Sequence, residues 1–74
     1  GYPKRLREKE IPLQARITAV ADAYDAMMTP RPYKEALSKA EALDELLRNA
    51  GTQFDPQVVK IFVEVLRAGN GFAE

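Results

Sequence analysis

An all-α fold of three amphipathic helices is predicted from three observations. Apolar residues recur at three- and four-residue steps in three separate stretches. Each stretch opens on a recognisable helix start and is followed by proline or glycine punctuation. No segment shows the two-residue alternation of a half-buried strand, and the β-branched run from Val58 to Val65 carries helical spacing behind an Asp-Pro start.

The first ten residues mix Lys4, Arg5, Arg7 and Lys9 with Glu8 and Glu10 and show no period, so an irregular, exposed lead-in is expected there. The first helix is predicted over about residues 12–28. Pro12 suits a first helical position, because the N–H it lacks would have no intrahelical partner. Leu13, Ile17, Val20, Ala21, Tyr24, Met27 and Met28 then form the apolar stripe. Thr29-Pro30-Arg31-Pro32 ends it, since two closely spaced prolines cannot continue a helix. A loop or short turn around Arg31, Tyr33 and Lys34 follows.

The second helix is predicted over about residues 39–50. Ser38 with Glu41 three residues on is a capping box. Its stripe is Ala42, Leu43, Leu46, Leu47 and Ala50, with Gly51 as the left-handed stop. The third helix is predicted over about residues 56–67. Asp55 caps it, Pro56 takes the first turn, and Phe54 can pack back onto Val59 as a hydrophobic staple. Val58, Ile61, Phe62, Val65 and Leu66 form its stripe, Gly69-Asn70-Gly71 ends it, and a frayed tail is expected after that.

Composition narrows the chemistry. The chain has 74 residues, which is small for a free-standing core. Its 46% hydrophobic and 30% charged content is that of a globular domain. Eleven basic residues balance eleven acidic ones, so the chain as a whole lacks a nucleic-acid footprint, and no DNA or RNA partner is expected. Zero cysteines exclude a disulfide scaffold, a thiolate zinc site and a cysteine nucleophile. Zero histidines remove the commonest metal ligand and general base. No apolar run is long enough to span a membrane.

A few residues remain as candidates for chemistry. Asp22 and Asp25 lie three apart, on one face of the first helix. Paired carboxylates can hold a hard cation or do acid–base work; they can equally be solvated, or pair with a nearby arginine. Arg31 and Lys34 follow the same helix, where cations suit its C-terminal dipole. They could also hold an anionic ligand, the guanidinium in bidentate fashion and the ammonium as a point charge. Met27-Met28 is read as packing.

Taken together, several fragments resemble one family. They are Gly1-Tyr2-Pro3, Ile11-Pro12-Leu13 with Ala15-Arg16-Ile17, Ala19 to Met27 (AVADAYDAM), Arg31-Pro32-Tyr33-Lys34, and Phe54-Asp55-Pro56. Over residues 1 to about 66 the chain looks like the C-terminal part of an HD-GYP domain. That family is a branch of the HD superfamily of metal-dependent phosphohydrolases, and its typical members hydrolyse the bacterial second messenger cyclic di-GMP. The resemblance implies a helical HD-type domain larger than these 74 residues, a cytoplasmic location, and a di- or trinuclear centre of iron or manganese in the intact domain. It also implies residue roles. Gly1, Tyr2 and Pro3 would form the signature loop beside the active site. Asp22 would supply the last aspartate ligand of the metals. Arg31 and Lys34 would contact the phosphates of cyclic di-GMP. Asp25 would be supporting, pairing with Arg31.

The chain departs from the family pattern in two ways. The family's His-Asp pair and further histidines precede the GYP motif, and none is present. Arg5 and Glu8 stand where the family often has glycines. A fragment beginning at GYP is therefore expected: inactive and metal-free by itself, with apolar faces that favour self-association. The alternative is a non-catalytic helical interaction or dimerisation module of a signalling protein, with partners reached through the GYP loop.

Overall fold

The computed structural model describes residues 11–69. The expected lead-in, the Gly1-Tyr2-Pro3 loop, Arg5, Glu8 and the tail beyond Gly69 lie outside that range. Three helices follow in order: α1 (Leu13–Met28), α2 (Lys39–Arg48) and α3 (Pro56–Ala68). Each packs against both of the others. No strand forms among the described residues, so the all-α expectation holds.

Local chemistry sets the ends. Pro12 is extended (φ −56°, ψ 147°) and stands just before α1 rather than inside it. Its carbonyl accepts the Arg16 N–H at 3.1 Å, so the hydrogen-bond ladder begins at proline, one residue later than expected. The capping box at Ser38 forms in both directions. The Glu41 N–H donates to Ser38 Oγ at 3.1 Å and the Ser38 N–H donates to Glu41 Oε1 at 3.0 Å. Helix α2 stops at Arg48, two residues short of the expected end, because Asn49 competes for its terminal carbonyls. Asn49 Nδ2 donates to the Glu45 carbonyl at 2.9 Å, and the Asn49 carbonyl accepts from the N–H groups of Thr52, Gln53 and Phe54. Gly51 makes this turn possible with φ 89°, a conformation that disfavours L side chains. Asp55 caps α3, its Oδ1 accepting the Gln57 and Val58 N–H groups at 2.7 and 3.2 Å.

The core is Val20 from α1, Leu43 and Leu46 from α2, and Val58, Val59 and Val63 from α3. Ala23, Tyr24, Met27, Phe54, Phe62 and Leu66 pack around it. Phe54 thus lies on the cluster that includes Val59, as a hydrophobic staple requires. Tyr24 meets Phe62 edge-to-face, with ring centroids 5.4 Å apart. Lys39 Nζ donates to the Leu66 carbonyl at 2.7 Å, bringing a cation from the start of α2 to the C-terminal end of α3.

Part of the expected stripes on α1 and α3 does not enter this core. Leu13 and Ile17 on α1, and Ile61 and Val65 on α3, are exposed and line a shared groove of about 340 Å³. The physical reason is geometric. A stripe wider than the contact with two neighbours leaves its outer edge uncovered, and three helices supply each member with two neighbours.

Arg16 stands at the polar end of this groove. Its Nη1 lies 2.6 Å from Asp55 Oδ2 and its Nε donates to the Ile11 carbonyl at 3.0 Å. Asp55 is 3% exposed and Arg16 21%. One guanidinium therefore joins Ile11, two residues before α1, to the cap of α3, which lies 39 residues from Arg16 in sequence.

Candidate functional site

The C-terminal end of α1 and the loop after it form the second concave surface. Ala26 and Met27 from the helix, with Arg31, Tyr33, Lys34 and Glu35 from the loop, line a pocket of about 200 Å³. The loop is held by backbone hydrogen bonds. Arg31 N–H donates to the Lys34 carbonyl at 2.8 Å, and Lys34 N–H donates to the Arg31 carbonyl at 3.1 Å. Pro32 and Tyr33 are the two central residues of this turn. No described residue other than glycine has a positive φ, which makes the turn type I. Leu37 N–H donates to the Met27 carbonyl at 2.8 Å and ties the loop back to the helix. Thr29 Oγ1 donates to the Asp25 carbonyl at 2.8 Å in the last turn.

This turn brings Arg31 and Lys34 together, because the ends of a four-residue turn lie within about 7 Å of each other. Both side chains are exposed, so they can meet an anion without first losing a buried partner. The pocket's cations also follow the C-terminal end of α1, where the helix dipole is negative.

Asp22 and Asp25 are exposed on α1. Asp22 is four residues before Ala26, so the two share a face about 6 Å apart along the axis. The carboxylate thus belongs to the same side of α1 as the pocket. The ion pairs among the described residues are Arg16–Asp55, Arg48–Glu45 and Lys60–Glu64. Asp25 and Arg31 do not pair with each other, contrary to the expectation for Asp25; its backbone, rather than its carboxylate, is engaged by the helix end.

Metal-binding capacity is a separate matter. No three His, Cys, Asp or Glu residues come together among the described residues. With neither histidine nor cysteine in the sequence, the donor set of this chain does not by itself fit a two- or three-metal centre.

Of the other lining residues, sequence reasoning places Tyr33 in the loop without a role at the site, reads Ala26 and Met27 only as helix, and does not single out Glu35. A tyrosine set between proline and lysine in a rigid turn was the available signal.

Comparison with known proteins decides the family. A family model described as the HD domain matches residues 1–58. The chain belongs to the HD domain family. The HD domain's curated relatives here are phosphodiesterases. One is a cyclic di-GMP phosphodiesterase of Thermotoga maritima, 43% identical over 65 residues, which are 88% of this chain and 18% of that protein. A cyclic di-GMP phosphodiesterase response regulator of Xanthomonas campestris pv. campestris is 51% identical over 59 residues, 80% of this chain and 16% of that protein. A 3'3'-cGAMP-specific phosphodiesterase of Vibrio cholerae is 39% identical over 64 residues, 86% of this chain and 12% of that protein. The chain therefore spans less than a fifth of the length of these relatives. No solved structure matches. No helix among the described residues is long and apolar enough to cross a membrane.

Proposed function

We infer that this HD-domain chain is one part of a longer metal-dependent phosphodiesterase that hydrolyses cyclic di-GMP in bacterial second-messenger signalling. The observation that carries the reading is the shared face of α1. Asp22 lies one turn before the pocket where Arg31 and Lys34 stand on a rigid turn. The relatives named for cyclic di-GMP supply the substrate class.

In this reading Arg31 and Lys34 hold the phosphates, the first as a fork and the second as a point charge. They offset negative charge on the phosphodiester as it reacts. Asp22 contributes one carboxylate to a centre of iron or manganese whose other ligands come from outside these residues. Asp25 supports that stretch of helix, and Gly1, Tyr2 and Pro3 form the loop beside the site. The protein is cytoplasmic. The 74-residue chain alone is inactive, because it holds one ligand of a set.

The test is hydrolysis of cyclic di-GMP by the longer polypeptide that carries this segment. Turnover with the wild-type sequence is expected, and Arg31→Ala is expected to raise KM more than it lowers kcat. Absence of turnover with metal supplied, or an unchanged KM in Arg31→Ala, would overturn the assignment.

A second reading has its own observation. The exposed groove formed by Leu13, Ile17, Ile61 and Val65 gives the isolated chain an adhesive face. A non-catalytic interaction module would use this face, and self-association of the isolated chain follows from either reading.

A further inference from the structure

Binding of phosphate by Arg31 and Lys34 leaves unexplained the most exposed large hydrophobic residue among those described. Tyr33 is 80% exposed. Such a ring usually covers core; here it stands at the tip of a turn closed by two backbone hydrogen bonds and tied to α1 through Leu37. Pro32 fixes φ beside it. A tyrosine ring has two side-chain torsions, so holding it against a ligand costs little ordering. The ring lines the same pocket as Arg31, Lys34 and Glu35.

Phosphate contacts carry no information about which base a nucleotide bears. Relatives similar to this chain are named for cyclic di-GMP and for 3'3'-cGAMP. Those two molecules share the ring of two phosphodiesters and differ in one base, guanine against adenine. Discrimination therefore needs groups that face a base. Every base has a π-face on which an aromatic ring can stack. The Watson–Crick edge of guanine presents two adjacent donors, N1–H and the N2 amino group, which a carboxylate can accept together. Adenine presents an acceptor at N1, which a carboxylate repels.

We propose that Tyr33 and Glu35 form the base-contacting part of this pocket, the ring stacking on a purine and the carboxylate selecting guanine. The proposal rests on the cyclic-dinucleotide reading above and adds to it the residues that read the base. The pocket then has two divisions of labour, on one turn and the residue that follows it. Residues 31 and 34 hold phosphate; residues 33 and 35 meet the attached nucleoside.

The experiment measures kcat and KM for cyclic di-GMP and 3'3'-cGAMP in the longer polypeptide with Tyr33→Ala, Tyr33→Phe and Glu35→Gln. Tyr33→Ala is expected to raise KM for both substrates by roughly 5- to 100-fold, the range of a lost stacking contact. Tyr33→Phe keeps the ring and is expected to restore KM. Glu35→Gln is expected to cut the preference for cyclic di-GMP by about fivefold or more. Because Tyr33 is exposed, circular dichroism should show an unchanged fold in each variant. An unchanged KM in Tyr33→Ala, or an unchanged preference in Glu35→Gln, overturns this proposal while wild-type turnover leaves the substrate reading standing. Failure of the wild type to hydrolyse either dinucleotide overturns both.

Discussion

Replacing Arg16 by Met should unfold this chain far more readily than a half-exposed surface residue would suggest. The guanidinium donates to Asp55 Oδ2 at 2.6 Å and to the Ile11 carbonyl at 3.0 Å. Methionine retains most of the stem and so isolates the polar loss. A hydrogen bond to a charged group contributes roughly 1.5–3 kcal/mol, and a carboxylate left with an unpaired buried oxygen costs roughly 1–3 kcal/mol more. Removing one member of a fully buried pair costs about 3–5 kcal/mol. Arg16 is 21% exposed, so water reaches the vacated side, and Asp55 keeps the Gln57 and Val58 N–H groups through its other oxygen. The expected loss is therefore about 2–4 kcal/mol. For a domain of this size that lowers Tm by roughly 10–30 °C. Thermal and urea unfolding by circular dichroism, at one fixed protein concentration, measure it. Asp55→Asn should cost less, since asparagine caps a helix as well as aspartate does. The double variant should cost less than the sum of the two, because the same contact is removed twice. A loss below about 0.5 kcal/mol in Arg16→Met, or strict additivity, would refute this reasoning.

The same pair sets an acid limit. Burial pushes the Asp55 carboxyl upward. The Arg16 hydrogen bond, the Val58 and Gln57 N–H groups and the Arg16 charge outweigh it, so its pKa lies below the ordinary 3.8. A carboxyl with a lowered folded-state pKa stabilises fully above its unfolded value and loses that contribution as pH falls through the folded one. Stability should therefore decline below about pH 5 and keep declining past pH 4, with a shallower decline in Asp55→Asn; parallel profiles for the two proteins would count against the pair. At Gly51, φ is 89° and an added Cβ meets nothing within 4 Å. Gly51→Ala should thus cost about 1–2 kcal/mol from backbone strain alone, and an unchanged urea midpoint would contradict that. Sedimentation equilibrium should show concentration-dependent self-association of the isolated chain, reduced by Ile61→Glu within the exposed groove. A wild-type monomer at all concentrations would remove that role for the groove.

Much of the architecture was readable because its signals are local. Ser38 with Glu41 and Asp55-Pro56 each act within four residues, and each works as its chemistry requires. Gly51 takes the left-handed φ expected of it, but in the turn after Asn49 rather than as the stop of the helix. The end of α2 was less readable, since Asn49 can either continue a helix or capture its carbonyls, and the turn to Phe54 decides which. The exposure of Leu13, Ile17, Ile61 and Val65 was hidden for another reason. Periodicity identifies an apolar face and not how many neighbours cover it. The Arg16–Asp55 contact spans 39 residues and leaves no local mark. At the candidate site, the spacing of Asp22, Arg31 and Lys34 was visible in the sequence. The closed turn that brings Tyr33 and Glu35 to the same pocket depends on backbone hydrogen bonds, which no spacing rule gives.

The most direct test of the functional account is Asp22→Asn in the longer polypeptide, with bound iron and manganese and cyclic di-GMP turnover measured on the same sample. Asp22 is exposed on α1, so the fold should survive the change. Metal content and kcat are expected to fall together, with Tm little altered. Full turnover with full metal content in Asp22→Asn would contradict it.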